Sequence, residues 1–330
     1  MIDEKIYVTK LLSVENYNDF ENIYNDFIIH AKDEYKFELT PLDFESFIES
    51  VSKKLIQCLV LYRNSTAVAF MVYTTAISEA IELNIIHTLN MENITEYGCI
   101  LIEKFLELTN LDRYQKIVCY PMLGKQKSLI SDISKFGFKF VGIAVLRFLM
   151  AGTNSKDIFE ISYLPNLEPK YKLDTWNENY LRQAVAVVHE AFETSADALF
   201  DPRFKSLDGT FDILNKITKD VYAEFLPEAT TVLLYDDEPV GFCFSNLTNG
   251  SIANFPIVAI SKKHQGKGLS KHILHKSMSK IISYQKNAEK PISEINTCTE
   301  TNNFQALKMY RHLGFKEDYN YPQSYLPIKK

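Results

Sequence analysis

The chain is short of the residues that build covalent or metal scaffolds. Its 330 residues hold five cysteines, Cys58, Cys99, Cys119, Cys243 and Cys298, scattered and without a CxxC pair. A disulfide framework or zinc site is therefore not expected; reduced thiols in a core are. Long apolar runs are also missing: nowhere do about eighteen uninterrupted apolar residues occur, the length that a membrane-spanning helix needs. The N-terminal stretch MIDEKIYVTKLL lacks the apolar segment of a signal peptide. Nor is there an excess of positive charge. The formal net charge is -6, whereas general nucleic-acid binding calls for a basic face. These absences predict a cytoplasmic protein with neither membrane nor nucleic acid as partner. They leave room for a local basic pocket that takes a phosphorylated ligand.

Length and pattern point to two α/β domains, because 330 residues exceed a usual single core. Strands are expected at 5–12, 57–62, 67–74, 80–88, 117–120 and 139–150, with helices at 16–32, 95–108 and 128–135. A further helix should open at Thr40-Pro41, with Thr40 as cap. Residues 151–169 gather Gly152, Asn154, Ser155, Pro165 and Pro169 and read as a linker, with 158–164 able to pair with a sheet. The second half repeats the order: strand 170–174, helix 179–192, a hairpin of 230–235 and 239–245, then strand 252–260. Single residues repeat too. Leu59-Val60-Leu61-Tyr62 and Val68-Ala69-Phe70 parallel Val232-Leu233-Leu234-Tyr235 and Val240-Gly241-Phe242, and Lys135-Phe136-Gly137-Phe138 parallels His312-Leu313-Gly314-Phe315. Matched segments about 175 residues apart indicate internal duplication. The expected domains are 1–150 and 170–330.

The chain is organised around residues 257–270, IVAISKKHQGKGLS. A short β-branched run is followed by a polar turn with Gly266 and Gly268. Leu269, Ile273, Leu274, Met278, Ile281 and Ile282 then recur at helical spacing. The first N–H groups of a helix lack internal partners and carry partial positive charge, and glycines let a bulky anion approach the main chain. The spacing fits neither the Walker nor the GxGxxG pattern.

Residues 265–270, Q-G-K-G-L-S, resemble the Q/R-x-x-G-x-G/A signature of the GNAT superfamily of acyl-CoA-dependent N-acyltransferases. Gln265 and Gly268 match, and Ser270 stands in place of the final Gly or Ala. Residues 302–315, N-N-F-Q-A-L-K-M-Y-R-H-L-G-F, resemble the family's second motif, N-x-x-A-x-x-x-Y-x-x-x-G-F, through Asn303, Ala306, Tyr310, Gly314 and Phe315. The resemblance covers 170–330 well and 1–150 faintly. It implies an α/β fold with a mixed, twisted sheet in each of two tandem GNAT-like domains. It also implies two central parallel strands, here 252–260 and 294–299, that splay apart around acetyl-CoA.

Carried over residue by residue, the resemblance implies that main-chain groups of Gln265, Gly266, Lys267, Gly268, Leu269 and Ser270 cradle the diphosphate. Lys267 either helps neutralise it or stands in solvent. Main-chain groups of Val258 and Ile260 would hold the pantetheine arm and polarise the acyl carbonyl. Asn303 either bonds the cofactor or caps the following helix. Tyr310 would act as general acid to the leaving CoA thiolate. The position where many members carry a basic Glu holds Asn254, so Glu300 or a water relay is left for that role, with a surface carboxylate as the other reading of Glu300. Substrate selection is placed in 192–204, where aromatic rings could hold a cation; Asp197 and Asp201 would share one face if the segment is helical, with a solvated helix end as the other reading. Tyr319, Tyr321 and Tyr325 would form a further wall or an edge strand. His189 reads as structural. His272 and His275 lie three apart with no third ligand nearby, so no metal is expected. The first half has no glycine turn after Ile86, and counting back from Gly137 puts Ile133 and Gln126 in the places of Tyr310 and Asn303. It is expected to shape structure or substrate without binding CoA in the usual way.

The expected activity is direct acetyl transfer from acetyl-CoA to a primary amine on a small molecule or peptide. The alternative is a non-catalytic acyl-CoA sensor, favoured by Asn254 and Ser270 and opposed by Tyr310. A longer acyl chain is a third reading.

Overall fold

The structure, a computed structural model, describes residues 7–13, 16–35, 41–75, 80–109, 117–123, 126–150, 164, 166–285 and 291–327. The chain divides into two compact units. One is Met1–Val141 with Tyr321–Lys330; the other is Gly142–Asn320.

The first unit runs β1 (Tyr7–Leu11), α1 (Tyr17–Tyr35), α2 (Phe44–Ser52), β2 (Gln57–Arg63), β3 (Thr66–Thr74), β4 (Ala80–Thr88), α3 (Ile94–Thr109), β5 (Ile117–Pro121) and the short α4 (Ile130–Ile133). Strands β1 to β4 are antiparallel neighbours, and β4 pairs parallel with the start of β5. Alternation along the strands feeds two apolar layers. Phe70 and Val72 meet Phe20, Tyr24, Phe27 and Phe47 of α1 and α2. Met71 and Tyr73 meet Leu101 and Phe105 of α3. Helix α2 starts later than the Thr40-Pro41 signal predicts. Asp43 is its cap, accepting from the Ser46 N–H at 2.8 Å, a bond that Pro41 has no side chain to offer; Thr40 lies outside the described residues.

The second unit contains most of β6 (Lys139–Leu149), then β7 (Tyr171–Thr175), α5 (Leu181–Phe192), α6 (Asp197–Phe200), α7 (Leu207–Thr218), β8 (Glu224–Phe225), β9 (Thr231–Tyr235), β10 (Glu238–Cys243), β11 (Asn246–Thr248), β12 (Ile252–Asn254), β13 (Val258–Ile260), α8 (Leu269–Tyr284), β14 (Glu294–Glu300), α9 (Phe304–His312) and the start of β15 (Lys316–Leu326). One run of strands is β8-β11-β12-β14-β6, the other β13-β10-β9-β7. The periodic apolar residues of α8, from Leu269 to Ile281, are buried in the core with Phe255, Ile295 and Phe315.

The boundary falls at Gly142, ahead of the expected 150, because the last strand of each half is exchanged. Residues of β6 pair antiparallel with β14, Leu149 opposite Glu294 and Ile143 opposite Glu300. The end of β15 pairs antiparallel with β5, Leu326 opposite Val118. Hydrophobic pattern identifies a strand but says nothing of which partner takes it. Most of the expected linker, 151–163 and 165, lies outside the described residues.

Duplication shows in details that pattern alone does not reach. The hairpin turns of both halves have both central residues at positive φ: Asn64 (49°) and Ser65 (68°), Asp236 (48°) and Asp237 (66°). That is the turn whose twist suits a two-residue hairpin. Ala69 lies opposite Thr88 as Gly241 lies opposite Ile260. In that register Asn90 corresponds to Lys262, and both main-chain N–H groups are held by a carboxylate on the first long helix of their half. Asp26 accepts from Asn90 at 3.0 Å, and Glu190 accepts from Lys262 at 3.1 Å. Gly137 (φ 92°) and Gly314 (φ 88°) end matching helical turns in the left-handed region that favours glycine.

Candidate active site

In the second unit, the segment expected as a single strand over 252–260 is broken in two. Strand β12 runs parallel to β14, with Asn254 opposite Asn296. The Phe255 N–H still donates to the Asn296 carbonyl at 3.1 Å. Then comes Pro256, which has no N–H to continue the ladder. Strand β13 pairs instead with β10, antiparallel. The two central strands therefore part beyond Asn254 and Asn296.

The register fixes what faces the gap. Phe244 donates to the Ile257 carbonyl (2.9 Å) and Ser261 donates to the Val240 carbonyl (2.8 Å). In an antiparallel ladder the bonding residues alternate. The main-chain groups of Val258 and Ile260 therefore point away from β10. The Ile260 carbonyl accepts from the Gln265 side chain at 2.8 Å, which ties the turn to the end of β13. The expected Gln265 thus acts through its side chain as a brace.

Gly266 (φ 76°) and Gly268 (φ 74°) hold the turn in the left-handed region, with nothing within 4 Å of a Cβ added to either. Among the described residues, no hydrogen bond uses the N–H groups of residues 266–270 as donors. Five adjacent main-chain donors thus stand at the start of a sixteen-residue helix, an arrangement whose partial positive charge suits an anion. Lys267 does not simply stand in solvent. Its Nζ donates to the Tyr171 hydroxyl at 3.1 Å, and Tyr171 lies 2.8 Å from His264 Nδ1. Burial, then Lys267 and Lys263, push the His264 pKa down. The Tyr171 hydroxyl and His264 Nδ1 share one hydrogen bond, and the chain Lys267–Tyr171–His264 ties β7 to the turn.

Behind the gap lies Tyr310, 4% exposed. Its ring packs edge-on against Phe315 at 5.4 Å. Its hydroxyl is 3.4 Å from Thr297 Oγ1, which is also 3.3 Å from the Phe255 carbonyl. Burial drives the Tyr310 pKa well above the ordinary phenol value. The charge of Asp197 adds to the rise, and the Thr297 bond opposes it. The phenol is held neutral and able to give a proton.

A family model described as acetyltransferase (GNAT) domain matches residues 227–317. The second unit carries a GNAT domain. Similar solved structures include a GCN5-related N-acetyltransferase from Sphaerobacter thermophilus, at 12% identity and TM-score 0.66, covering 98% of this chain and 97% of that one. A tandem GNAT protein from the clavulanic acid biosynthesis pathway aligns at 11% identity and TM-score 0.58, covering 97% and 98%. A GCN5-related glucosamine N-acetyltransferase region of a fungal multi-domain GH3 β-N-acetylglucosaminidase aligns at 13% identity and TM-score 0.64, covering 98% of this chain and 38% of that one. These alignments establish the tandem GNAT fold. The sequence matches no curated protein.

Other expected residues of the GNAT domain divide between site and scaffold. Asn303 caps α9, its Oδ1 accepting from the Ala306 N–H at 3.1 Å, which leaves its amide hydrogens unused. Asn254 is structural: its side chain donates to Thr248 Oγ1 (2.8 Å) and the Ile252 carbonyl (3.1 Å). His189 is structural too, bonded through Nδ1 to the Phe204 carbonyl. No group of three or more metal-binding side chains occurs among the described residues. Tyr319, Tyr321 and Tyr325 lie in β15, and Tyr325 is opposite Cys119 inside the first unit's sheet.

Asp197 and Asp201 do not share a helical face. Asp201 leaves α6 in extended backbone and is gripped by Arg203, Nε at 2.9 Å and Nη2 at 2.6 Å. Asp197 accepts from the Ser195 hydroxyl at 3.2 Å and from its own main-chain N–H. It meets solvent, yet protein crowds it enough that lost hydration is the main force raising its carboxyl pKa, and Glu300 pushes the same way. Glu300 is half-buried, and no side-chain partner holds it among the described residues.

The corresponding gap in the first unit is filled. Ile86 stands in register where Val258 does in the GNAT domain: Ile86 is opposite Met71 as Val258 is opposite Cys243. The Ile86 carbonyl accepts from Gln126 Nε2 at 3.3 Å, and Gln126 Oε1 accepts from the Tyr120 hydroxyl at 2.8 Å. Gln126 is 1% exposed. A side-chain amide thus occupies the place where a ligand amide would meet the strand. Gln126→Ala would remove both hydrogen bonds from a buried site, so urea unfolding should show a loss of about 1–3 kcal/mol.

Proposed function

We propose that the protein is an N-acetyltransferase whose second unit transfers an acetyl group from acetyl-CoA to a primary amine of a small molecule or peptide. The observation that carries this reading is the buried, neutral Tyr310 hydroxyl beside Thr297, behind the point where β13 leaves β14. The diphosphate would sit on the free N–H groups of residues 266–270. Val258 and Ile260 would offer main-chain N–H groups to the pantetheine arm and the acyl oxygen, with Asn303 donating from its unused amide. Amine attack expels a thiolate, and Tyr310 supplies its proton. The first unit, with Gln126 in its gap, would take no CoA and serve to support or shape the site.

Calorimetric titration with CoA and an assay of CoA release over an amine panel test this reading. One CoA per chain and amine-dependent release are expected. Binding without release under any amine would favour the sensor reading. The double variant Gly266→Ala/Gly268→Ala places two side chains in left-handed backbone, a strain of roughly 1–2 kcal/mol per residue. It should weaken CoA binding, with the melting temperature lowered by that strain alone, since no neighbour is displaced. Unchanged affinity would move the anion elsewhere.

A further inference from the structure

We propose that a row of asparagines across the second unit's sheet, on the face turned away from Tyr310, binds hydroxyl groups of the acceptor, and that the acceptor is a polyhydroxylated amine. This rests on the reading of the second unit as an N-acetyltransferase. Strand register builds the row. Asn246 on β11 lies opposite Asn254 on β12, Asn254 opposite Asn296 on β14, and Asn296 opposite Arg147 on β6. The row stands at the last paired position before β13 leaves, where the Phe255 N–H makes the closing bond to the Asn296 carbonyl. Side chains alternate between the faces of a sheet. The sequence neighbours of the row, Leu247, Ala253, Phe255, Ile295, Leu146 and Phe148, are buried in one core with Tyr310, so the row itself faces the other way. Strands lie about 4.8 Å apart, which puts Asn246 about 10 Å from Asn296, within reach of a six-carbon chain with polar ends.

The row is short of partners. Asn246 is 6% exposed, yet its Oδ1 has no hydrogen bond. Glu294, two residues before Asn296 and so on the same face, is 7% exposed. Its Oε2 accepts from Arg147 Nη1 at 3.2 Å, while its Oε1 has no hydrogen bond. Asn254 spends its amide hydrogens on Thr248 Oγ1 and the Ile252 carbonyl, which fixes its orientation and leaves its Oδ1 to accept. Asn296 is half-buried and makes no side-chain hydrogen bond among the described residues. Buried polar atoms without partners are rare in folded proteins, and each calls for an explanation.

A ligand that answers these atoms must bring donors. A carboxylate brings none, and Arg147 is already answered by Glu294 and by Asp318, 3.4 Å from its Nε. A second ammonium would serve Glu294 but offers nothing to the amide hydrogens of Asn246 and Asn296. A hydroxyl both donates and accepts. It suits Asn246 in either amide orientation, since a half-turn exchanges O and N, and it suits Asn296 for the same reason. An acceptor with its amine at the strand gap and hydroxyls along the row meets every one of these groups.

The test compares kcat and KM of full-length wild type, Asn246→Leu and Asn296→Ala for three amines of similar length. Glucamine is a six-carbon chain rich in hydroxyls, hexylamine has none, and 6-aminohexanoate ends in a carboxylate. Wild type should favour glucamine over hexylamine by about 10²-fold or more in kcat/KM, well within the discrimination open to a site built around a substrate hydroxyl. It should take 6-aminohexanoate no better than hexylamine. Each variant should cut the glucamine preference about tenfold, the effect of one hydrogen bond, chiefly through KM and with CoA affinity retained. Asn246→Leu should not lower the melting temperature, because it removes a buried polar atom that has no partner; an asparagine that merely held the sheet together would. If Asn246→Leu folds poorly, Asn296→Ala decides the matter. Equal use of hexylamine and glucamine by wild type, a preference for 6-aminohexanoate, or an undiminished glucamine preference in the variants would overturn this inference and leave the acetyltransferase reading standing. Absence of CoA release from wild type with every amine would overturn both.

Discussion

Tyr310→Phe should lower kcat by about 10²–10⁴-fold, the range of a single acid or base, and leave CoA affinity as it was. The variant removes one oxygen from a site with little else to disturb. Phenylalanine keeps the ring against Phe315 and fills the same buried space. Thr297 keeps the Phe255 carbonyl as partner. The stability lost should be that of one ordinary hydrogen bond, about 0.5–1.5 kcal/mol. The kinetic loss is expected in kcat, because the thiolate's demand for a proton arises only as the C–S bond breaks. The phenol's raised pKa keeps it protonated across the neutral range, so its own ionisation should cost wild type activity on the alkaline side alone. Tyr310→Phe should lack that limb. A variant with unchanged turnover would remove Tyr310 from the mechanism. A drop confined to CoA affinity would make it a binding residue.

Local sequence carried the glycine turn well. Gly266 and Gly268 read directly as a turn before a helix, and they sit in the left-handed backbone region that favours glycine. The hairpins and helix α8 were legible for a similar reason: their periodicity and turn chemistry are local. The break between β12 and β13 was not. Apolar character runs through residues 257–260 whichever partner they take, and Pro256 alone does not say that the strand changes sheets. The exchange of β6 and the end of β15 was hidden because pairing is a long-range choice. The roles of Asp197 and Asp201 were equally hidden. Both lie in one short polar stretch, and only the arrival of Arg203 at Asp201 separates them. Gln126 was visible as a substitution for Asn303, but its bonds to Ile86 and Tyr120 required β4 and β5 to be brought together.

Arg203→Ala should destabilise the second unit by about 3–5 kcal/mol, the cost of removing one partner from a buried ionic network. Arg203 is 8% exposed. Its guanidinium satisfies Asp201 through two nitrogens while reaching Asp212 and Tyr222 with the third. Asp212 keeps Lys216 at 2.9 Å, so the penalty concentrates on Asp201, whose side chain is 21% exposed. The start of α7 rests on this residue's backbone, where a Cβ on Gly209 would lie 2.4 Å from the Arg203 carbonyl oxygen, a contact that alanine keeps, so the loss reports the guanidinium. Urea unfolding measures the loss, and Arg203→Met with Asp201→Asn should recover much of it by removing the stranded charge. A loss within about 1 kcal/mol for Arg203→Ala would class the network with exposed ion pairs.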